Sequence, residues 1–457
     1  MSNEVLVTGL GPVSAIGSGR NAFWNALTSG QHGFGQITHC DVSQSPSKIG
    51  AEVRDFRLGE FIVRGDVMAR RTPRAVQLAV AASVLALHDA EIDLDACDPD
   101  RLGVFAGTSI GNLDVVMAVR EQVIDHADVP AHTAFHAFNH SAACVVSSFF
   151  NIRGPVHTTT TGCNSGIDAL GQAARHIQAG AMDAVLVVGT DCELLPEVIA
   201  ALNASNSLTT RFNDDPGRAS RPFDRDRDGN VIGEGSAALL LESGAHARAR
   251  GARVYARVGG YHVASAGQNR QYSHDRPELD TRPSVRAMRG AITEAGWSPE
   301  DVELVNANGS SSVLYDRLEG LALGEVLGEA TPTVRVHSQK SMLGQHGAGS
   351  SALQAVAACL AIRRGVVPPT INHDDPDPAC GPLRVVTAAE SFSPRRVLVH
   401  SIGLGGFYYS AAAFEAENHS GRTGLHRVRW SDEHHAKFTP TEEYLRPLAP
   451  WEPRFDA

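Results

Sequence analysis

The sequence predicts an α/β protein. Three observations carry that expectation: short β-branched runs that end in glycine, alanine-rich amphipathic stretches between them, and a similar series of both in each half of the chain. The opening run VLVTGLG from Val5 reads as a buried strand closing in a tight turn toward a helix. Arg74 to Ala90 follows as an amphipathic helix, and RLGVFAG from Arg101 as the next strand. A threonine-rich strand then ends at Gly162, a helix runs from Ile167 to a stop at Gly180, and AVLVVGTD from Ala184 is again a strand. A second series opens near RVYARVGGYHV from Arg253. It holds the strand VELVNANG from Val302, a helix from Ser351 to a stop at Gly365, and the strand VLVHSIGLGG from Val397. The expected organisation is an N-terminal half over 1–252, a C-terminal half over 253–417 and an extension over 418–457. The extension is charged and carries proline and tryptophan, so it is expected to be a strap or tail.

Composition narrows the function. A chain of 457 residues, 42% hydrophobic and 20% charged, has room for a large core or two fused halves. It holds no run of about eighteen apolar residues, and its start lacks the basic and apolar blocks of a secretion signal, so a cytoplasmic protein without membrane spans is expected. A formal net charge of -11 disfavours nucleic-acid binding, which needs a basic footprint. The seven cysteines are odd in number, scattered and never spaced as CxxC, so neither a disulfide framework nor a zinc site is expected.

The sharpest local feature is HTTTTGCNSGIDALGQAARHIQAG, which sets Cys163 in the turn between a strand and a helix. Unpaired N–H groups and the positive end of the helix dipole there favour a thiolate and can hold an oxyanion on a thioester. A cysteine elsewhere would be read as a small buried hydrophobe; this context makes Cys163 the candidate nucleophile. Two other motifs are declined. DRDRDGNVIGEG from Asp224 resembles a calcium loop, but its twelfth position is Gly235, where the loop needs glutamate. GLGPVS from Gly9 starts like a dinucleotide fingerprint but has Ser14 in sixth place, and a tight strand-to-helix turn accounts for it. His434 and His435 in the extension lack further ligand spacing and are read as solvated surface. No metal and no cofactor is expected.

From Val5 to Glu415 the chain resembles the β-ketoacyl-acyl-carrier-protein synthases, the condensing enzymes of fatty-acid and polyketide synthesis. The likeness rests on blocks in order: VLVTGLGPVSAIG, TTGCNSG, SRPFDRDRDGNVIGEGSAALLLE, NANGSSS, KSMLGQHGAG, PPTINHDDPDP and GLGG. It implies a five-layered αβαβα thiolase fold with duplicated halves, usually dimeric. It also implies that Cys163 is acylated and that the N–H groups of Cys163 and Leu404 form the oxyanion hole. The partners it implies are an acyl carrier protein, presenting its acyl group on phosphopantetheine, and a second ketosynthase-like subunit in a homodimer or heterodimer.

The chain departs from the family at both active-site histidines. One is replaced by Asn308 in NANGSSS and the other by Gln345 in KSMLGQ, while Lys340 and Glu319 match family positions. An amide still donates N–H bonds but does not titrate near neutral pH, so the proton acceptance that helps decarboxylate a malonyl thioester is lost. His346, His136 and His140 are the candidate stand-ins. The glycine loop reads IGLGGFYY, with Leu404 in the place of a gating phenylalanine and Phe407 beyond it, which implies a reshaped acyl pocket.

The expected function is therefore a ketosynthase-like acyltransferase of polyketide or other specialised-metabolite biosynthesis. It would load Cys163 from a carrier and transfer or cyclise the chain without efficient decarboxylation. The alternatives are decarboxylative condensation, rescued by another residue or a partner, and a silent partner like a chain-length factor, which retention of Cys163 opposes. Arg64, Arg70, Arg71 and Arg74 form a basic patch, and Arg70 and Arg71 align with positions resembling a carrier docking site.

Overall fold

The computed structural model describes residues 4–267 and 279–417. The extension from Asn418, with His434 and His435, lies outside the described residues. Five principal strands form the sheet of the first half: β1 (Val5–Ser14), β2 (Leu102–Gly107), β3 (Val156–Thr159), β4 (Ala184–Cys192) and β5 (Ile232–Ser243). Five more build the second: β6 (Ala256–Ser265), β7 (Leu304–Asn306), β8 (Arg335–His337), β9 (Arg396–Ile402) and β10 (Tyr408–Glu415). Their helices are α1 (Arg74–Ala90), α2 (Ser165–Gln178), α3 (Arg282–Glu294), α4 (Val313–Leu327) and α5 (Gly347–Arg364).

Both halves use the same topology. The first sheet runs β3-β2-β4-β5-β1 and the second β8-β7-β9-β10-β6, the same places in the order of each half. The directions also repeat: the first three strands of each sheet are mutually parallel, and the last two pair antiparallel. The sheets meet where Leu6 and Val7 of β1 pair with Arg257 and Ala256 of β6. Helix α1 covers one outer face, α3 and α4 the other, and α2 and α5 lie between the sheets, which gives the five αβαβα layers of the thiolase fold. Burial follows from this: β4 and β5 are covered on both faces, so Ala184 to Asp191 and Ile232 to Ser243 are buried without alternation. No helix among the described residues is long and apolar enough to cross a membrane.

Sequence patterns locate most elements closely. Helix α1 has the predicted bounds, and α5 stops at Gly365, whose φ of 65° satisfies the left-handed cap. The opening block departs from expectation. GLGPVS is not a turn toward a helix; it continues β1 to Ser14. Its glycines serve packing: a Cβ at Gly9 or Gly11 would sit 2.2 or 2.0 Å from a backbone oxygen of α1. Asp224 of the declined calcium loop accepts bonds from the N–H groups of Asp226, Asp374 and Asp375 and from Arg221, so its oxygens face donors rather than a cation.

The two central helices cross with almost no clearance. A Cβ on Gly166 would lie 2.3 Å from the Ala348 carbonyl oxygen, and one on Gly189 of β4 would lie 2.6 Å from the same atom. Neither backbone can yield without moving a whole layer. Gly166→Ala is therefore expected to lower stability by about 1–3 kcal/mol, the usual cost of overpacking. A shift of the denaturation midpoint smaller than that of a control such as Gly324→Ala, where a Cβ meets open space, would contradict this account.

Candidate active site

Cys163 lies just ahead of α2, between Gly162 at φ 67° and the N-cap residue Asn164. The turn is braced by Ser165, whose hydroxyl accepts from the Thr161 N–H at 2.8 Å and donates to the Gly162 carbonyl at 2.6 Å. Asn164 is tied to the second half, its Oδ1 accepting from Ser401 at 2.8 Å. The Leu404 N–H, from the glycine turn after β9, points at the Cys163 sulfur and favours its thiolate. One expectation fails here. Burial, reinforced by the carboxyls of Glu193 and Asp191 against the help of Lys340, pushes the thiol up to about 11, so the resting cysteine is a thiol despite its place at a helix start.

Opposite stands the second half's contribution. Asn308 follows β7, and Lys340 opens the one-turn helix Lys340–Leu343; both are buried. Lys340 Nζ donates to Asn308 Oδ1 at 2.7 Å, and the Ile402 N–H donates to the same oxygen at 3.1 Å. Two donors on one atom fix the amide's orientation, because only its oxygen can accept. The Nδ2 donor is thus the end left for an incoming group. Burial lowers Lys340 to about 8, partly offset by Cys163, Glu319 and Asp316.

Glu319 on α4 accepts from the Asn308 N–H at 2.7 Å, the Gly309 N–H at 2.8 Å and His400 Nδ1 at 2.7 Å. It shapes the loop that carries Asn308. Gln345 is pinned by its backbone to β5, donating to the Val231 carbonyl at 2.8 Å and accepting from the Gly233 N–H at 2.9 Å. Its Oε1 is buried without a hydrogen-bond partner among the described residues.

The candidate stand-in histidines stand in three different settings. The His346 ring packs against Gly235 and Gly349, and burial together with the Lys340 charge holds it neutral down to about 3. His136 bonds Ser141 at 3.0 Å in the segment before the elbow, and burial lowers it too. His140 is exposed on that segment and stacks on Phe138. Arg70 and Arg71 are exposed, but Arg74 leaves the expected patch: it is half-buried and paired with the buried Glu234 at 2.9 Å. Leu404 and Phe407 are both exposed at the glycine turn.

Sequence reasoning missed Asp191 and Glu193 at the end of β4. Acids two apart on a buried strand share a face, and that spacing was the available signal. Asp191 accepts from Thr108 Oγ1 at 2.7 Å and from the N–H groups of Ser109, Ile110 and Ala348 at 2.8, 3.2 and 2.6 Å, which ties β2 to the start of α5. Cys192 between them turns the other way and donates to Glu234 at 2.7 Å.

The site thus sets a cysteine at a central helix start in one half and a lysine-held amide in the other. Comparison with known proteins gives it a family. The model for the β-ketoacyl synthase N-terminal domain matches residues 2–247, and that for the C-terminal domain matches 255–374. The chain is 36% identical over 407 residues to a 3-oxoacyl-[acyl-carrier-protein] synthase 2 of Synechocystis, covering 88% of this chain and 96% of the relative. It is 35% identical over 417 residues to the tetracenomycin polyketide synthase ketoacyl synthase alpha subunit of Streptomyces glaucescens, covering 89% and 96%. Among solved structures, a type II polyketide-synthase acyl-carrier protein in complex with its ketosynthase bound to the hexaketide superposes with a TM-score of 0.82 at 30% identity, covering 91% of this chain and all of that one. The ishigamide ketosynthase/chain length factor gives the same score, identity and coverage. The chain belongs to the β-ketoacyl synthase family, whose members transfer and condense acyl groups.

The thiol's environment makes a direct prediction. Iodoacetamide labelling of Cys163 in the free protein, followed on its own peptide by mass spectrometry, should climb with pH from neutrality toward about 11. Neutralisation of Lys340 near 8 removes a favourable charge and delays the climb further. A plateau below pH 8 would show a pre-ionised cysteine and contradict the reading.

Proposed function

We propose that this chain is a ketosynthase-type acyltransferase of polyketide or related specialised metabolism. It takes an acyl chain from an acyl carrier protein onto Cys163 and passes it to an acceptor, or closes it on itself, without efficient decarboxylation of a malonyl thioester. The observation that carries this is Asn308, whose oxygen is occupied by Lys340 and Ile402, so that it offers only an N–H donor where the family has a titrating imidazole. Cys163 is then the nucleophile, with its own N–H and that of Leu404 as the oxyanion hole. Asn308 and Gln345 donate to developing charge, and Lys340 and Glu319 hold them in place. The alternative, decarboxylative condensation, is favoured by the names of the relatives and not by these side chains.

Exposed apolar residues on the edge strand β3, Val156, and in the segment before the elbow, Phe135 and Phe138, support a second subunit, identical or ketosynthase-like. Arg70 and Arg71 rim a cleft shared with Asp114, Val115 and Gln122 and offer exposed positive charge to an acidic carrier.

Intact-protein mass spectrometry after incubation with an acyl carrier should show an acyl adduct on the native protein and none on Cys163→Ala. The native protein should also release carbon dioxide from malonyl carrier about 10²–10⁴-fold more slowly than a two-histidine relative. Chain extension at the relative's rate, without a partner, would replace this function with condensation. Exchanging Arg70 and Arg71 for glutamate should cut loading from the carrier at least tenfold and spare loading from an N-acetylcysteamine thioester. Equal losses with both donors would remove the docking role.

A further inference from the structure

Away from Cys163, a second thiol is set against an imidazole and a carboxylate. Cys97 lies between the short helical turns Leu94–Ala96 and Pro99–Arg101 that lead into β2, and it is half-buried. Its sulfur is 3.8 Å from Nε2 of His246, on the short helix Gly244–Ala249 that follows β5. On the other side of the ring, Nδ1 is 2.6 Å from Oε1 of Glu242, near the end of β5. Glu242 is fully buried and also accepts from Arg250 and Thr8. Burial opposes its charge, but the bonds from Arg250, His246 and Thr8 prevail and hold the carboxyl down to about 2. A carboxylate can only accept, so His246 carries its proton on Nδ1, and the neutral ring turns the lone pair of Nε2 to the thiol. Among the described residues no other cysteine is hydrogen-bonded to an imidazole; Cys192 and Cys380 face carboxyls.

The order thiol, imidazole, carboxylate is that of an activated nucleophile, with a base in reach and a third group orienting the base. The charged groups acting on this thiol are Glu242 and Arg250, Asp93 from its own loop, and Asp183 from the turn before β4. Burial, and the Glu242 charge after it, raise the thiol, so at rest it keeps its proton for the imidazole to take. The mouth is acidic. Asp93, Asp95 and Asp98 are exposed beside Cys97, while the arginines nearby are taken: Arg101 pairs with Asp183, Arg153 with Asp100 and Arg250 with Glu242.

We infer that Cys97 is a thiol–disulfide exchange site that takes up low-molecular-weight disulfides, cationic or neutral ones ahead of anionic ones. The thiol proton passes to Nε2 of His246 as the Cys97 sulfur attacks one sulfur of the incoming disulfide. A new S–S bond forms to Cys97, the old one breaks, and the departing thiolate takes the proton from the imidazolium and leaves as a thiol. Cys97 is oxidised to a mixed disulfide while half of the incoming disulfide is reduced, so the exchange needs no other oxidant. Glu242 stays ionised throughout and steadies the imidazolium. The site is independent of the reading of Cys163.

The test incubates the full-length protein with cystamine at pH 7 and follows the Cys97 and Cys144 peptides by mass spectrometry. Cys144, exposed on the helix Ser141–Phe149, is the control within the same molecule. Cys97 should gain its adduct at least tenfold faster than Cys144 although it is the less exposed. In His246→Gln the Cys97 rate should fall about 10²-fold at pH 7, with the gap closing toward pH 10 as the thiol ionises unaided, and the Cys144 rate should not move. Glutathione disulfide should react more slowly than cystamine at low salt, the difference shrinking at high salt. A Cys97 rate no faster than that of Cys144 in the native protein would overturn the inference. So would a native rate in His246→Gln, or a loss there that is the same at every pH, the mark of an imidazole that only holds the loop. Equal rates with both disulfides at low salt would overturn the charge preference.

Discussion

The crossing of the two central helices is the constraint on which the site depends. Gly166 lies against the Ala348 carbonyl, and Ser351 Oγ accepts the Ile167 N–H at 3.2 Å, so the start of α2 and the start of α5 are locked together. Those two starts belong to different halves of a duplicated chain. Their contact brings the cysteine of one half to the lysine and amides of the other. A side chain at either glycine would separate the layers, and with them the two parts of the chemistry.

Buried carboxylates extend this lock. Asp191 binds the Ala348 N–H and three donors around Thr108, and Glu319 binds the backbone of the Asn308 loop and His400. Each acid is offset by several N–H donors rather than by one cation, the arrangement that makes a buried charge tolerable. The result is a rigid polar seam between the sheets, lined with groups whose protonation is set by burial. Cys163 and Lys340 are shifted toward their neutral forms by the same dry surroundings, one upward and one downward.

Much of the fold was legible in the sequence because its signals are local. Runs of β-branched residues ending in glycine and the left-handed caps at Gly180 and Gly365 depend on near neighbours alone, and α1 could be read to its ends. What failed depended on distant partners. Gly9 and Gly11 look like turn glycines until α1 is seen against them. Arg74 looks like a surface cation until Glu234, 160 residues away, is seen to hold it. The cysteine elbow suggested a thiolate because a helix start is visible in sequence, whereas the depth of the site and the acids beside it are not.

The pair at the end of β4 shows where such reading stops. The alternation of Asp191, Cys192 and Glu193 gives the face each side chain takes, but not what it meets there. Asp191 meets four donors, Cys192 meets Glu234, and Glu193 is buried just past the end of the strand. From sequence, Asn308 and Gln345 in place of imidazoles read as loss of efficient decarboxylation, with acyl transfer onto Cys163 kept. Burial, and the neighbouring Asp191 after it, raise the Glu193 carboxyl well above the usual carboxylate range, and neither cause is visible in the sequence.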